Sequence, residues 1–345
     1  VTAVRQSFGF PLAHATHSDV GRVRTNNEDS QGSAWLSDGS LFAMVADGMG
    51  GHEAGEVASN LAVQVVLEAM GRDPDADPRE RMYHALLEAN GAILDEGSRG
   101  GTKGMGTTSV CALFRGSEVF IALIGDSRCY HVRRGHLVWR TLDHTRVQML
   151  LDNGEITEEE ARNHPEAGML TRALGHERMA DGRALEPDVM AEALTLEDSD
   201  AIVLCSDGLH DLVEDWEIGQ VVAGRDPMEA AKALVQTACD RGGHDNVTVA
   251  VVTAGPRAAE FDPHYVPEYS RVGHPGAPEA TYDEPNTSGG AHHAYLHDVP
   301  KSSAPATVAP RRTGLYVGVA IAAVVLLVVG LFVAAVAAGL IWRFV

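Results

Sequence analysis

Apolar and polar positions follow two rhythms along the first 255 residues. Short apolar runs bounded by Gly, Asp or Asn recur at 41–46, 107–115, 118–125, 127–133, 136–140, 200–207 and 246–254, and each predicts a strand. The runs at 107–140 are joined by Arg115-Gly116, Gly125-Asp126 and Arg134-Gly135, which predicts an antiparallel meander. Elsewhere the period lengthens. Ala54, Val57, Ala58, Leu61, Ala62, Val65 and Ala69 share one helical face, predicting an amphipathic helix over 53–70 that Gly71 and Pro74 end. A second helix is predicted over 78–96, with Pro78 at its start and Gly97 past its end, and a third over 226–241. Residues 143–180 turn polar and helical, with a capping-box pair in Thr157 and Glu160; lying between strand regions, they read as a flap.

The pattern fails after Gly255. Residues 256–313 are rich in Pro, Gly, His, Ser and Ala without apolar periodicity, so a disordered linker is expected there. From Leu315 to Trp342 no charged residue occurs, and about 28 residues exceed the length a bilayer requires. Arg311 and Arg312 precede this stretch, which favours a cytoplasmic N-terminal flank. The expected organisation is a folded domain over 1–255, a linker over 256–313, and a single transmembrane helix with a short tail over 314–345.

Composition changes this picture in two respects. Lys and Arg number 27 against 48 Asp and Glu, a net charge of −21, which argues against nucleic acid as a partner and suits a cationic cofactor. The four cysteines (Cys111, Cys129, Cys205, Cys239) are scattered among apolar neighbours with no CxxC pair, as core thiols of a reduced compartment.

The candidate chemistry lies at strand ends. The run Leu41–Ala46 stops at Asp47, followed by Gly48, Met49, Gly50 and Gly51. An aspartate there is carried by a stiff element at the edge of the core, where it can hold a hard cation, and the Gly48 carbonyl could add a ligand. Alone, the Asp-Gly step is equally a turn. It recurs, however: Asp126, Asp207 and Asp245 also lie at strand ends or flanking turns. Gathered at the ends of one sheet system they would repel one another unless divalent cations sat among them, and oxygen ligands favour Mg²⁺ or Mn²⁺ over Zn²⁺. Arg24 is then a candidate phosphate clamp, because guanidinium binds phosphate through two donors.

Six segments in consistent order, VRTNNEDS, VADGMGGHEAGEVAS, MGTTSV, IGDSR, CSDGL and GGHDNVTV, give residues 14–254 a specific resemblance to the metal-dependent PP2C-type (PPM) serine/threonine protein phosphatases of the bacterial branch. The resemblance implies an α+β fold, an α-β-β-α sandwich of two antiparallel sheets flanked by helices. It implies two core Mn²⁺ or Mg²⁺ ions, with Asp47 bridging them, the Gly48 carbonyl, Asp207 and Asp245 as further ligands, and Asp126 helping to hold a third. Glu28 matches a glutamate holding metal-bound water, Asp29 its buried neighbour, and Arg24 the phosphate-binding arginine, while Asn246 looks structural. The implied reaction is direct attack of hydroxide held by the dinuclear centre on phosphoserine or phosphothreonine in proteins. The implied setting is membrane-tethered and cytoplasmic, opposing serine/threonine kinases. Met49 stands where eukaryotic members carry a histidine, which leaves the general acid open. A catalytically silent PP2C-like binding module, and a phosphatase of small phosphoesters or sigma-factor regulators, are the alternatives.

Overall fold

The computed structural model describes residues 2–51, 53–99, 102–161 and 163–267. The first half comprises β1 (Arg5–Ser7), β2 (Phe10–Asp19), β3 (Asp29–Trp35), β4 (Leu41–Met49), α1 (Glu53–Met70), α2 (Pro78–Ser98), β5 (Gly106–Thr107), β6 (Ser109–Arg115), β7 (Glu118–Ile124), β8 (Arg128–Arg133) and β9 (His136–Arg140). There follow α3 (Arg146–Asp152), α4 (Glu158–Ala161), β10 (Asp188–Val189), β11 (Leu194–Thr195), β12 (Ala201–Cys205), α5 (Asp207–His210), α6 (Asp215–Val222), α7 (Pro227–Asp240) and β13 (Val247–Ala254).

Why β4 reads as an unbroken apolar run is clear from its two faces. Phe42, Met44 and Ala46 point at α1 and α2, in a core shared with Ala58, Ala62, Leu86 and Ile93. Leu41, Ala43 and Val45 point the other way, at Leu12, Ile202, Leu204, Ala250 and Val252 of a second sheet. A strand buried on both faces cannot alternate with polar residues. The first sheet runs β10-β7-β6-β4-β3 and the second β1-β2-β13-β12-β8-β9, with antiparallel pairings. Beyond the second sheet, Tyr130, Val203 and Val249 meet Leu234, Val235 and Ala238 of α7 in a third core. The order helices, sheet, sheet, helices is the α-β-β-α sandwich expected. α7 starts where the sequence suggested because Asp226 accepts from the N–H groups of Met228 and Glu229 while Pro227 needs no acceptor.

Several expectations need correction. The meander over 107–140 is two hairpins in different sheets: β6 pairs β7 in the first, β8 pairs β9 in the second, and the chain crosses between them at Gly125-Asp126. Gly125 makes the crossing possible. Its φ is +101°, and a Cβ there would lie 2.6 Å from the Thr108 side chain. The second helix runs through Gly97 and is capped at Arg99. Among the described residues of 143–180, α3 and α4 are the helices and turns and isolated bridges join them; the Thr157–Glu160 capping box does form. The packed domain also continues past Gly255. Ala258 N–H donates to Arg225 O, Phe261 stacks on His136 at 4.7 Å, and Asp262 N–H donates to Arg134 O. Residues 256–265 thus form a strap over the β8–β9 turn, and the expected linker can begin only after it. The four cysteines are buried and unpaired, as expected. No helix among the described residues is long and apolar enough to cross a membrane; the span expected at 315–342 lies outside them.

Gly125→Ala should destabilise the fold by roughly 1–3 kcal/mol through positive φ and contact with Thr108. Gly91→Ala, in an exposed helical turn where a Cβ meets nothing within 4 Å, should stabilise it by about 0.5–1 kcal/mol. Urea unfolding midpoints of the two variants check both signs.

Candidate active site

The end of β4 is held from every side. Asp47 N–H donates to Thr108 Oγ1, and Asp47 O accepts from Thr108 N–H and Thr107 Oγ1, each within 2.9 Å. Gly48 then meets the first turn of α1 so closely that a Cβ on it would lie 2.1 Å from Gly55 O. This backbone contact explains the glycine at 48; a Cβ on Gly55 would meet Glu28 Oε2 at 2.1 Å and Gly48 O at 2.9 Å. The 20–28 loop is pinned by Asn246, whose Nδ2 donates to Val20 O and Asn26 O while its Oδ1 accepts from Glu28 N–H. A structural reading of Asn246 therefore suffices.

These supports bring Arg24, Glu28, Asp47, Gly48, Asp126, Asp207 and Asp245 to the wall of one cavity of about 670 Å³. Asp47 lies two residues before the end of β4, Asp126 sits in the crossover turn, Asp207 opens α5 and Asp245 precedes β13. Asp29 lies behind the wall, with Ser206 Oγ donating to its Oδ2 at 2.7 Å. Arg24 Nη2 donates to Asp245 Oδ2 at 2.6 Å across half-exposed side chains. His52 falls outside the described residues.

The electrostatics are those of carboxylates crowded out of water. Burial, reinforced by Asp207 and then Asp29, pushes Asp47 well above the usual carboxylate range. Asp126 is raised well above it by burial and Asp207. Burial lifts Asp29 to about 7 and Asp207 to about 6. Asp207 raises Asp47 while Asp47 lowers Asp207, so the two neighbouring carboxyls titrate as a pair. Behind Asp126 the balance reverses. Burial would raise Asp143, but the Arg128 guanidinium holds it at about 2 through bonds of 2.8 and 2.6 Å. His210, pushed down to about 4 by burial and Arg128, donates from Nε2 to Asp126 O at 3.0 Å.

The donor set fits hard divalent cations. The wall offers carboxylates and backbone oxygen without a thiolate, and Asp207 Oδ1 is buried with no hydrogen-bond partner. Among the described residues, no group of three or more His, Cys, Asp or Glu side chains is arranged to hold an ion as it stands. Arg24 occupies Asp245, and burial holds Asp47 and Asp207 above the usual carboxylate range, so side-chain rotation and proton loss accompany any ion that enters.

Residues 21–241 match the family model described as protein phosphatase 2C. The chain belongs to that family. It is 41% identical over 243 residues to the serine/threonine protein phosphatase PstP of Mycobacterium tuberculosis, covering 70% of this chain and 44% of that protein, so the chain spans under half the length of this relative. It is 37% identical over 241 residues to the serine/threonine phosphatase stp of Listeria monocytogenes, covering 68% of this chain and 93% of that protein. Among solved structures, Mycobacterium tuberculosis PstP superposes with TM-score 0.63 at 38% identity, covering 71% of this chain and 99% of that one. The PstP catalytic domain in complex with two manganese ions gives TM-score 0.61 at 37% identity, covering 71% and 98%.

Within this protein phosphatase 2C fold, residue-by-residue reading did not single out Thr107 and Thr108, which fix the Asp47 backbone, or Ser206, which satisfies Asp29. The TT pair inside MGTTSV and the Ser before Asp207 were the available signals. It also missed the flap wall: Thr171, Arg172, His176 and Arg178 line the cavity opposite the carboxylates. Nothing in their spacing marks them, because the fold alone brings them there.

Raised carboxyls give a pH signature with a definite sign. Between the unfolded value near 3.8 and the folded values of about 6 and 7, the native state binds protons that the unfolded chain has released. Stability of chelated protein should therefore fall as pH rises through that window, with a higher Tm at about pH 5 than at about pH 7.5. The depressed carboxyls, such as Asp143, lose their contribution only in stronger acid. Mn²⁺ should flatten the dependence, since the ion takes the place of the protons. Calorimetry in EDTA and in Mn²⁺ measures both slopes, and a Tm rising with pH in EDTA would contradict the burial argument.

Proposed function

We propose that this chain is a metal-dependent protein serine/threonine phosphatase acting on phosphoserine and phosphothreonine in proteins. The observation that carries the reading is the convergence of Asp47, Asp126, Asp207 and Asp245 on one cavity with the Arg24 guanidinium at its wall. Its relatives' names and the two-manganese PstP structure support the same reaction class.

Two Mn²⁺ or Mg²⁺ ions would be held by Asp47, Asp207, Asp245 and the Gly48 carbonyl, with Asp126 helping to hold a third, and they supply Lewis acidity toward phosphoryl oxygen and water acidic enough to attack at neutral pH. The protein's own groups do the rest. Arg24, with a planar five-donor fork, binds phosphate oxygens and orients the ester. Glu28 lies beside it to accept a proton from water, and buried Asp29 holds Ser206 and through it the β12–α5 junction that aims Asp207. Met49 lines the cavity but has no proton to give, so the general acid for the leaving alkoxide is another group.

We further propose that the 315–342 stretch tethers the protein to a membrane with the phosphatase domain in the cytoplasm, where serine/threonine kinases supply its phosphorylated substrates. The uncharged length and the preceding Arg311-Arg312 pair support this.

Phosphate release from a phosphothreonine peptide by the full chain should require Mn²⁺ or Mg²⁺ and stop in EDTA. Asp47→Asn and Asp207→Asn should each lower kcat by about a hundredfold or more; near-normal turnover in both would remove the site assignment. In cell fractionation, the full chain should sediment with membranes and be freed by detergent, while a chain ending at residue 267 stays in the supernatant. Recovery of the full chain in the supernatant would refute the tether.

A further inference from the structure

Asp188 belongs to none of the roles above, yet it joins two parts of the site. It lies in β10 at the edge of the first sheet, 4% exposed, opposite Leu123 of β7. Its two oxygens serve different partners: Oδ2 pairs with His144 Nε2 at 2.9 Å and Oδ1 with Arg172 Nη1 at 2.5 Å. His144 is itself committed at its other nitrogen. Gly125 N–H donates into His144 Nδ1 at 3.2 Å, while His144 N–H donates to Gly125 O at 2.8 Å. With Nδ1 accepting, the ring proton sits on Nε2 and donates to Asp188. The histidine thus grips the residue immediately before Asp126 by ring and backbone together.

Arg172 lies on the other side of the carboxylate. It belongs to the flap segment that lines the cavity opposite the aspartates. That segment is also tied in by Thr171 N–H to His144 O at 2.8 Å, and by the Thr107–Leu174 bridge. Thr107 is the residue whose hydroxyl holds Asp47 O. The backbone of the flap and the crossover turn are therefore joined at His144, and their side chains at Asp188.

Resting on the phosphatase reading, we propose that Asp188, acting through His144 and Arg172, is a positioning residue that locks the flap wall to the Gly125-Asp126 turn. A carboxylate is needed because it accepts at both oxygens. An amide has one acceptor oxygen and an NH₂ that opposes either the His144 Nε2–H or the guanidinium, so Asp188→Asn releases one side of the lock while keeping its volume. A peptide substrate spans the flap wall and the metal pocket, whereas a small phosphoester enters the pocket alone. The lock therefore affects the two substrates unequally, and it affects how firmly Asp126 meets an ion.

The test compares full-length wild type and Asp188→Asn on a phosphothreonine peptide and on p-nitrophenyl phosphate, across a Mn²⁺ titration. The variant should lose about tenfold in kcat/KM on the peptide, with KM for the small ester within about twofold of wild type. The Mn²⁺ needed for half-maximal turnover of the small ester should rise about fivefold, and Mn²⁺ electron paramagnetic resonance should show the weakest-held ion loosened to the same degree. Asp188→Glu, which keeps two acceptor oxygens, should recover part of the peptide loss. Combining Arg172→Ala with Asp188→Asn should lower peptide turnover no further than the larger single effect. Should Asp188→Asn fail to fold, His144→Asn, which keeps an acceptor for Gly125 but lets go of Asp188, must show the same split between substrates. Equal loss on both substrates with an unchanged Mn²⁺ requirement, or wild-type behaviour throughout, overturns the lock. Wild-type protein that releases no phosphate from either substrate in Mn²⁺ would overturn the phosphatase reading instead.

Discussion

Crowding negative charge out of water is the constraint around which this molecule is arranged. Asp47, Asp126 and Asp207 are each raised by burial first and by a neighbouring carboxylate next. Such a cluster opposes folding unless the backbone that carries it is held by stronger means. The means are visible. Strands buried on both faces run into the site, the Thr107–Thr108 pair fixes Asp47, and Gly48 packs directly on Gly55. The site is a strained charge distribution carried by a scaffold with apolar packing to spare.

The scaffold also sets two kinds of electrostatic environment side by side in space. Asp126 faces carboxylates and is raised; Asp143, behind it, faces Arg128 and is depressed to about 2. One surface of the crossover turn is thus made ready to take up a cation, and the other is already neutralised by a buried guanidinium. A turn carrying opposite solutions on its two sides keeps its ligand side from recruiting an internal counter-ion. Arg24, half exposed at the cavity wall, is a cation that can exchange Asp245 for a substrate.

Much of this was legible in the sequence, and what escaped it has a physical cause. Burial on both faces leaves a signature in a single run, so β4, β12 and β13 were readable as strands, and α1 was readable from its apolar face and the Gly71 and Pro74 that end it. The aspartates could be read because each flanks an apolar run, at its end or in the turn beside it. Which sheet a strand joins is a different matter. The turn at Arg115-Gly116 closes a hairpin, while the one at Gly125-Asp126 changes sheets, yet both show a glycine between apolar runs. The difference depends on pairings such as β8 with β12, across some seventy residues, that no local pattern carries. The flap wall and the lock at Asp188 escaped for the same reason. His144, Arg172 and Asp188 are ordinary polar residues until the edge strand β10 brings them together.

The strap over residues 256–265 bears on geography. It is fastened at the β8–β9 turn by Phe261 on His136 and Asp262 on Arg134. Asp126 lies just before the opposite end of β8, whose six residues span roughly 20 Å. The strap therefore lies at the end of β8 remote from Asp126. A small label fixed to exposed Val266, beside the strap, would report from that end of the domain and leave the carboxylates untouched.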